Sequence, residues 1–570
     1  MRLYHCLLFI AFFTACGTAK KSSTPVLTPY SYTNQKNITA GKGAVVSAHP
    51  LASQAGLLVL QQGGNAVDAA IATQLALAVV YPGAGNIGGG GFLVAHLKDG
   101  RNITLDYREK APAAGHRDMY LDAAGNASTD KSQNGHLAAG VPGTIAGLFA
   151  SMPYAKLSFE KLITPAILLA EKGFVLTERE ARSLNNLQED LKKYNTQPNA
   201  FMKNTPWKAG DTLVQTDLAR TLQRVKEKGA AGFYEGETAK LIVAEMQRGK
   251  GIITLEDLKK YTAQPREPHV FDYKTYTIVG MPMPSSGGLL LHQMMKMIEP
   301  YQISTMGFQS AEAVQLMVEA ERRAYADRAE YMGDKDFYPV PEKALAATAY
   351  LTDRMKTFTP GKASNSNDIK PGVVPVPEHE ETTHLSVIDN EGNAVAVTTT
   401  LNGGYGSRTV VGGAGFFLNN EMDDFSIKPG VPNMYGAVGG EANAIKPGKR
   451  MLSSMTPTIV LQNNKPYLVV GTPGGTTIPT SVFQTLVNII EFNLSTIDAV
   501  NKPKFHHQWL PDRVDIENDF SSATAIALEM MGYKLYKRGA IGRTEVIKVL
   551  PNGKFEAVAD KRGDDDARGW

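Results

Sequence analysis

Two acids, two adjacent threonines and two histidines stand together at His379-Glu380-Glu381-Thr382-Thr383-His384. Such a group could hold a metal, supply a nucleophile, or be a polar loop entering a strand. The metal pattern H-E-x-x-H needs histidines four apart on one helical face. Here His379 and His384 are five apart, and β-branched Thr382 and Thr383 disfavour a helix. The residues that follow, "HLSVIDNEGNAVAVTTT", alternate, turn at 389–392 and alternate again, which predicts two paired strands. Threonine becomes a competent nucleophile in one well-defined way, as a chain N-terminus whose own α-amine accepts the hydroxyl proton. That route requires a cut before Thr382 or Thr383. On residue chemistry alone, two threonines opening a strand are also ordinary strand formers, and both readings stand.

Other nucleophile routes are closed. There is no G-x-S-x-G elbow and no P-loop, and the only cysteines are Cys6 and Cys16. "GGGG" at 88–91 lacks the spacing of a dinucleotide site and reads as close backbone packing. Gly474 and Gly475 follow the apolar run "PYLVVGTP" and precede a helix-like segment. They are either a tight turn or a pair of backbone N–H groups aimed at a developing negative charge. His506 and His507 lie outside any metal spacing and read as packing.

The elements that must position these residues are those of a folded enzyme. The chain has 570 residues, 43% hydrophobic and 20% charged, enough for a large core. A net charge of +3, without a basic cluster, gives no reason to expect nucleic acid. The start, "MRLYHCLLFIAFFTAC", reads as a signal peptide over 1–15. "FTAC" resembles a bacterial lipobox, which implies a lipid on Cys16, a flexible tether over 16–37 and membrane contact through that lipid alone.

From Gly41 the pattern is a strand, a helix, a break at Gly63-Gly64 and a second helix apolar on nearly every face. A strand ending at Arg108 follows, then mostly helix over 157–261 and a long helix through "AERRAYADRAEYMG". Residues 334–377 read as an exposed loop. Strands at both ends with helices between them imply an α/β (α+β) fold whose sheets draw on both halves.

"TTHLSVIDNEGNAVAVTTTLN", "FFLNNEMDDFS", "PGVPNMYGAVGG", "KRMLSSMTPTIV" and "VVGTPGG", with "GGNAVDAA", "DYREKAP", "GVPGTIAG", "MPSSGG" and "FHHQWLPD", together resemble the γ-glutamyltranspeptidase family of N-terminal-nucleophile hydrolases. The match runs from Gly41 to the C-terminus in the family's order. The resemblance implies a four-layer αββα sandwich made jointly by two chains, 38–381 and 382–570, produced by self-cleavage between Glu381 and Thr382. It makes Thr382 the nucleophile, Thr400 its hydrogen-bonding partner, and Gly474 and Gly475 the oxyanion hole. Asn402, Glu421 and Asp424 fall at positions that hold a donor's α-amino group, with Glu421 replacing the glutamine of some bacterial members. Arg108, Ser453 and Ser454 fall at the α-carboxylate clamp, and Tyr435 on a lid over 429–440. Glutathione and other γ-glutamyl compounds are the implied donors, water, amino acids or peptides the acceptors, and no cofactor is implied. Rival readings are a β-lactam (cephalosporin) acylase of the same superfamily and an unprocessed binding lipoprotein, in either case exported to a bacterial periplasm.

Overall fold

In the computed structural model, which describes residues 27–370 and 382–570, the strands predicted after Thr382 form as Thr383–Asp389 and Ala394–Thr400. They pair antiparallel, Thr383 opposite Thr399 and Ile388 opposite Ala394. Asp389 closes the turn by accepting from the N–H groups of Glu391 and Asn393, as an Asx-type turn does. The two strands are central to a seven-stranded sheet ordered Asp566–Gly569, Gly43–Ser47, Thr383–Asp389, Ala394–Thr400, Gly90–His96, Asn102–Asp106 and Gln264–Arg266. A second seven-stranded sheet runs Asn37–Ala40, Phe555–Val558, Glu545–Val549, Lys465–Gly471, Thr458–Gln462, Tyr276–Gly280 and His269–Tyr273. Strands from both sides of residue 382 interleave in each sheet, so neither part could close a sheet alone.

Alternation along the strands builds the layers. Leu385, Val387, Val395 and Val397 face the helices Pro50–Gln61, Ala66–Val80 and Phe159–Lys172, whose apolar residues join them in one core. Ile388, Ala394 and Ala396 face the other way and pack with Val279, Ile459, Val469 and Ile547 of the second sheet. The outer face of that sheet, with Ile278, Val460, Leu468 and Val470, is covered by Gly287–Ile298, Ala311–Tyr331 and Thr477–Ile490. The order is helix, sheet, sheet, helix. Truncating an inward residue such as Leu385 to alanine would cost about 2–5 kcal/mol.

The helix over Ala66–Val80 is buried at every position, as its apolar run predicts, and starts from a capping box of Asn65 and Asp68. The glycines at 88–91 do serve close packing: a Cβ on Gly89 would meet the Thr400 carbonyl at 2.1 Å, which holds this strand end against the one bearing Thr400.

Three expectations change. The strand predicted to end at Arg108 stops at Asp106, because the Arg108 N–H bonds back to the Asp106 carboxylate and turns the chain. The region from 334 contains the helices Glu342–Leu345 and Thr348–Met355, which bury Leu345, Leu351 and Met355. Short helices of this kind owe their stability to packing, which local composition does not reveal. The expected tether ends earlier than residue 37: Tyr30 and Tyr32 donate to the carbonyls of Lys172 and Val175, and Lys36 Nζ donates to three carbonyls at 560–565. The predicted signal peptide, Cys16 and Glu381 lie outside the described residues.

Candidate active site

Thr382 immediately precedes its strand, and the register that sets Thr383 opposite Thr399 carries Thr382 to the position facing Thr400. Their Oγ1 atoms lie 3.5 Å apart. Thr400 Oγ1 accepts the Asn402 N–H at 2.7 Å, and between the two threonine hydroxyls either could be the donor. His384, on the same face, is not a candidate base. Its ring bonds Thr398 at 2.9 Å and Ser386 at 3.1 Å and packs on Gly471. Burial holds it neutral, with a pKa lowered to about 3.

Gly474 and Gly475 connect the strand Lys465–Gly471 to the helix Thr477–Ile490. Gly475 has φ +49°, and a Cβ there would meet the Tyr435 ring at 2.8 Å, so the position demands glycine on both counts. The Gly474 carbonyl accepts from both the N–H and the hydroxyl of Thr477. Neither glycine N–H donates to a protein acceptor among the described residues, so both remain available to an oxyanion.

Beyond Thr382 lies a cavity of about 20 Å³ lined by Arg108, Thr382, Thr400, Asn402, Glu421, Asp424, Tyr435, Ser453, Ser454 and Gly475. All the predicted binding residues therefore meet in one place. Gly474 opens instead, with Thr382 and Tyr405, onto an adjoining cavity of about 600 Å³. Thr382 sits at the junction of a small polar pocket and a wide cleft.

The tight pocket is strongly polar. Arg108 Nη1 lies 2.5 Å from Glu421, Nη2 bonds Asp424, and Glu109 stands at 3.7 Å. Burial tends to lower the Arg108 pKa, but the charges of Glu421, Asp424 and Glu109 outweigh it and raise it. Burial pushes Glu109 up to about 8, Glu421 well above the ordinary carboxylate range and Asp424 also upward, each against the pull of Arg108. Three carboxyls around one guanidinium in a dry site cannot all stay ionised. An ammonium entering among them restores the balance. Asn402 spends its side-chain NH₂ on the Asn420 carbonyl, which leaves Oδ1 as an acceptor for the same ammonium.

The segment 429–440 closes the pocket. Tyr435 Oη donates to the Asn402 carbonyl at 2.5 Å, Asn433 Nδ2 to Asp424 at 2.9 Å and the Met434 N–H to Asp423 at 2.7 Å. The lid is thus tied to the residues that would read the ammonium. His506 stays outside: it bonds Thr480 and Gln508, and Gln508 in turn donates to the Tyr435 carbonyl. Burial lowers its pKa to about 4, so it supports the lid as a neutral ring.

Two contributors were not singled out from the sequence. Asp423 anchors Met434 and accepts from Ser132. Arg328 lines the pocket and donates to Ser286 at 3.1 Å and Ser454 at 3.0 Å. Asp423 adjoins a named acid in "NEMDD" and was within reach; Arg328 lies in a charged helical run that gives no sign of being buried.

A helix-sheet-sheet-helix sandwich with a threonine at the head of a central strand, beside two cavities that a glycine pair also lines, has the architecture of an N-terminal-nucleophile hydrolase. The chain belongs to the Gamma-glutamyltranspeptidase family, whose description matches residues 52–570. It is 45% identical over 559 residues to the glutathione hydrolase proenzyme of Escherichia coli (strain K12), covering 96% of this chain and 95% of that relative. Its fold is similar to the crystal structure of cephalosporin acylase from Bacillus halodurans, with TM-score 0.84, 27% identity, and 96% of this chain and 99% of that chain covered. A chain of Helicobacter pylori gamma-glutamyltranspeptidase aligns with TM-score 0.57 and 45% identity over 60% of this chain and 97% of its own length.

Proposed function

We propose that this protein is a self-processing γ-glutamyltransferase and glutathione hydrolase whose nucleophile is Thr382. The observation that supports the reading is that Thr382, with Thr400 at 3.5 Å, lines one small polar cavity together with Arg108, Asn402, Glu421, Asp424 and Gly475. Cleavage before Thr382 frees its α-amine, leaving a large chain ending at Glu381 and a small chain of residues 382–570 that remain one heterodimer. The amine takes the Oγ1 proton as Oγ1 attacks the γ-amide carbon. The N–H groups of Gly474 and Gly475 hold the oxyanion. The C–N bond breaks as the amine returns the proton to the leaving nitrogen, and a γ-glutamyl ester remains on Thr382. Water then releases glutamate, or an amino acid or peptide amine takes the group. No metal or organic cofactor takes part in these steps.

The α-ammonium of the donor is held by Asn402, Glu421 and Asp424, and its α-carboxylate by Arg108, Ser453 and Ser454. This set disfavours the acylase alternative, since an acyl group without the amino acid end leaves buried charges unmatched. N-terminal sequencing of the small chain, with γ-glutamyl-p-nitroanilide turnover, tests the proposal. A start at Thr382, abolished in Thr382→Ala, is expected; a single intact chain without turnover overturns it. No helix among the described residues is long and apolar enough to cross a membrane. Export and anchoring rest on the leader and Cys16, and Cys16→Ser protein should leave the membrane fraction.

A further inference from the structure

The residues read from the sequence as a tether are, from Pro29 onward, bonded to both walls of the wide cleft. One wall includes Phe174, Leu176, Arg179 and Glu180, the other Arg562 and Asp564, and Thr382 and Gly474 line the same cavity. After the proposed cut these walls belong to different chains. Where they meet, Arg179 Nη1 donates to the Arg562 carbonyl at 2.9 Å and Nε lies 3.8 Å from Asp564. Arg179 is largely exposed, and an exposed contact of this kind holds little.

The segment 29–36 adds a second connection. On the first wall the Pro29 carbonyl accepts the Val175 N–H at 3.1 Å, and the hydroxyls of Tyr30 and Tyr32 donate to the carbonyls of Lys172 and Val175 at 2.7 and 2.6 Å. The Tyr32 ring packs 5.2 Å from His49, which stands edge-on to Phe174 at 5.8 Å and whose Nε2 lies 2.9 Å from Glu180. On the second wall Asn34 Nδ2 donates to the Asp564 carbonyl at 2.9 Å, the Gln35 N–H donates to Asp566, and the Gln35 carbonyl accepts the Ala567 N–H. Lys36 Nζ donates to the carbonyls of Asp560, Gly563 and Asp565 at 2.8, 2.8 and 2.6 Å, so all three of its protons hold the turn that carries Arg562 and Asp564. Bonds from a charged donor are the stronger kind. The strand Asn37–Ala40 then pairs with Phe555–Val558 and fixes the far end of the segment in the second sheet.

We propose that residues 29–36 are a strap that sets the spacing of the wide cleft for the amine that leaves or accepts the acyl group, with Tyr32 and Lys36 as its positioning residues. The assignment rests on the γ-glutamyl reading, in which an amino acid or peptide amine approaches Thr382 from this side. A cavity of about 600 Å³ lies in the range that holds a small peptide. The small polar pocket is lined by none of the residues that the strap bonds. Loosening the strap therefore changes acceptor use and spares the donor.

Two initial-rate measurements on processed enzyme separate the two sites: hydrolysis of γ-glutamyl-p-nitroanilide alone reads the donor pocket, and transfer to glycylglycine at saturating donor reads the cleft. Lys36→Met keeps the aliphatic stem and removes the three donors. It should raise KM for glycylglycine by about threefold to tenfold, the worth of one neutral hydrogen bond passed on through the wall, while kcat and KM for hydrolysis stay within about twofold. Lys36→Arg should recover much of the loss, since a guanidinium still donates to several carbonyls. A loss shared equally by hydrolysis and transfer would mean general destabilisation and overturn the assignment, as would an unchanged KM for glycylglycine. If Lys36→Met fails to process, Tyr32→Phe removes one bond to the first wall and should raise KM for glycylglycine alone by about twofold to threefold; an unchanged or unselective response overturns the assignment. Wild-type enzyme that neither hydrolyses nor transfers removes the γ-glutamyl reading and this assignment with it. Wild-type transfer with unselective variants removes this assignment alone.

Discussion

Thr382 Oγ1 and Thr400 Oγ1 face each other at 3.5 Å because the strand register places them opposite on the inter-sheet face. Thr400 Oγ1 also accepts the Asn402 N–H, which fixes it beside Thr382. Removing it takes away the hydroxyl that lies 3.5 Å from Thr382, the proposed nucleophile. Thr400→Ala should slow conversion of the single chain into two by about tenfold, the worth of one well-placed hydrogen bond. Thr400→Ser should keep most of the rate. A gel time course measures both, and equal rates for alanine and wild type would remove Thr400 from the machinery.

The Tyr435 hydroxyl ties the lid to the Asn402 carbonyl, beside the side chain assigned to the α-ammonium. Tyr435→Phe keeps the ring against Gly475 and removes that bond. KM for γ-glutamyl-p-nitroanilide should rise by about three- to tenfold, with kcat falling less, because the loss loosens closure more than it disturbs Thr382. A fall in kcat at constant KM would place the residue in the chemical step.

Much of this site was legible because its chemistry is local. The threonines, the hairpin, the glycine pair and the acids of "NEMDD" each sit in a short stretch whose spacing and alternation carry the information. Arg328 was not legible for a tertiary reason. In the helix Ala311–Tyr331, Glu319, Glu321, Arg322, Arg323, Asp327 and Arg328 are all buried, against the usual rule for charged residues. Glu319 pairs with Arg323 at 2.5 Å and Asp327 with Arg354 at 3.1 Å, partners supplied by the same turn or by a distant segment. Only assembly reveals which of these charges reaches the pocket. The short helices at 342–355 escaped for the related reason that their apolar residues are few and their stability comes from neighbours.

Gly475 and Tyr435 are coupled through space, since a Cβ on Gly475 would meet the Tyr435 ring at 2.8 Å. Gly475→Ala should therefore both strain a backbone at φ +49° and push the lid aside. The backbone strain costs about 1 kcal/mol, whereas the lid clash can be relieved separately. Adding Tyr435→Ala to Gly475→Ala should change KM by less than Tyr435→Ala does in the wild type, a non-additivity read in a double-mutant cycle. Strict additivity would mean that the two residues do not touch in the working enzyme.

The donor's ammonium imposes a pH dependence that its carboxylate does not. Burial raises Glu421 well above the ordinary carboxylate range and Asp424 in the same direction, with Arg108 opposing both. A raised carboxyl keeps its proton to higher pH, and a protonated carboxyl cannot pair with an ammonium. Affinity for γ-glutamyl donors is therefore present above those pKa values and lost as pH falls through them. KM for γ-glutamyl-p-nitroanilide should rise as pH is lowered through the raised pKa values of these two carboxyls. Glutaryl-p-nitroanilide, which has no ammonium, should show a much flatter KM. In the proposed mechanism a freed Thr382 amine acts on the other parameter: it must be neutral to accept a proton, so kcat should climb through about pH 7.7–8.0 for both donors. Asp424→Asn should flatten the KM slope for the γ-glutamyl donor while leaving the kcat climb in place. Parallel KM profiles for the two donors would show that these carboxyls do not titrate against the substrate.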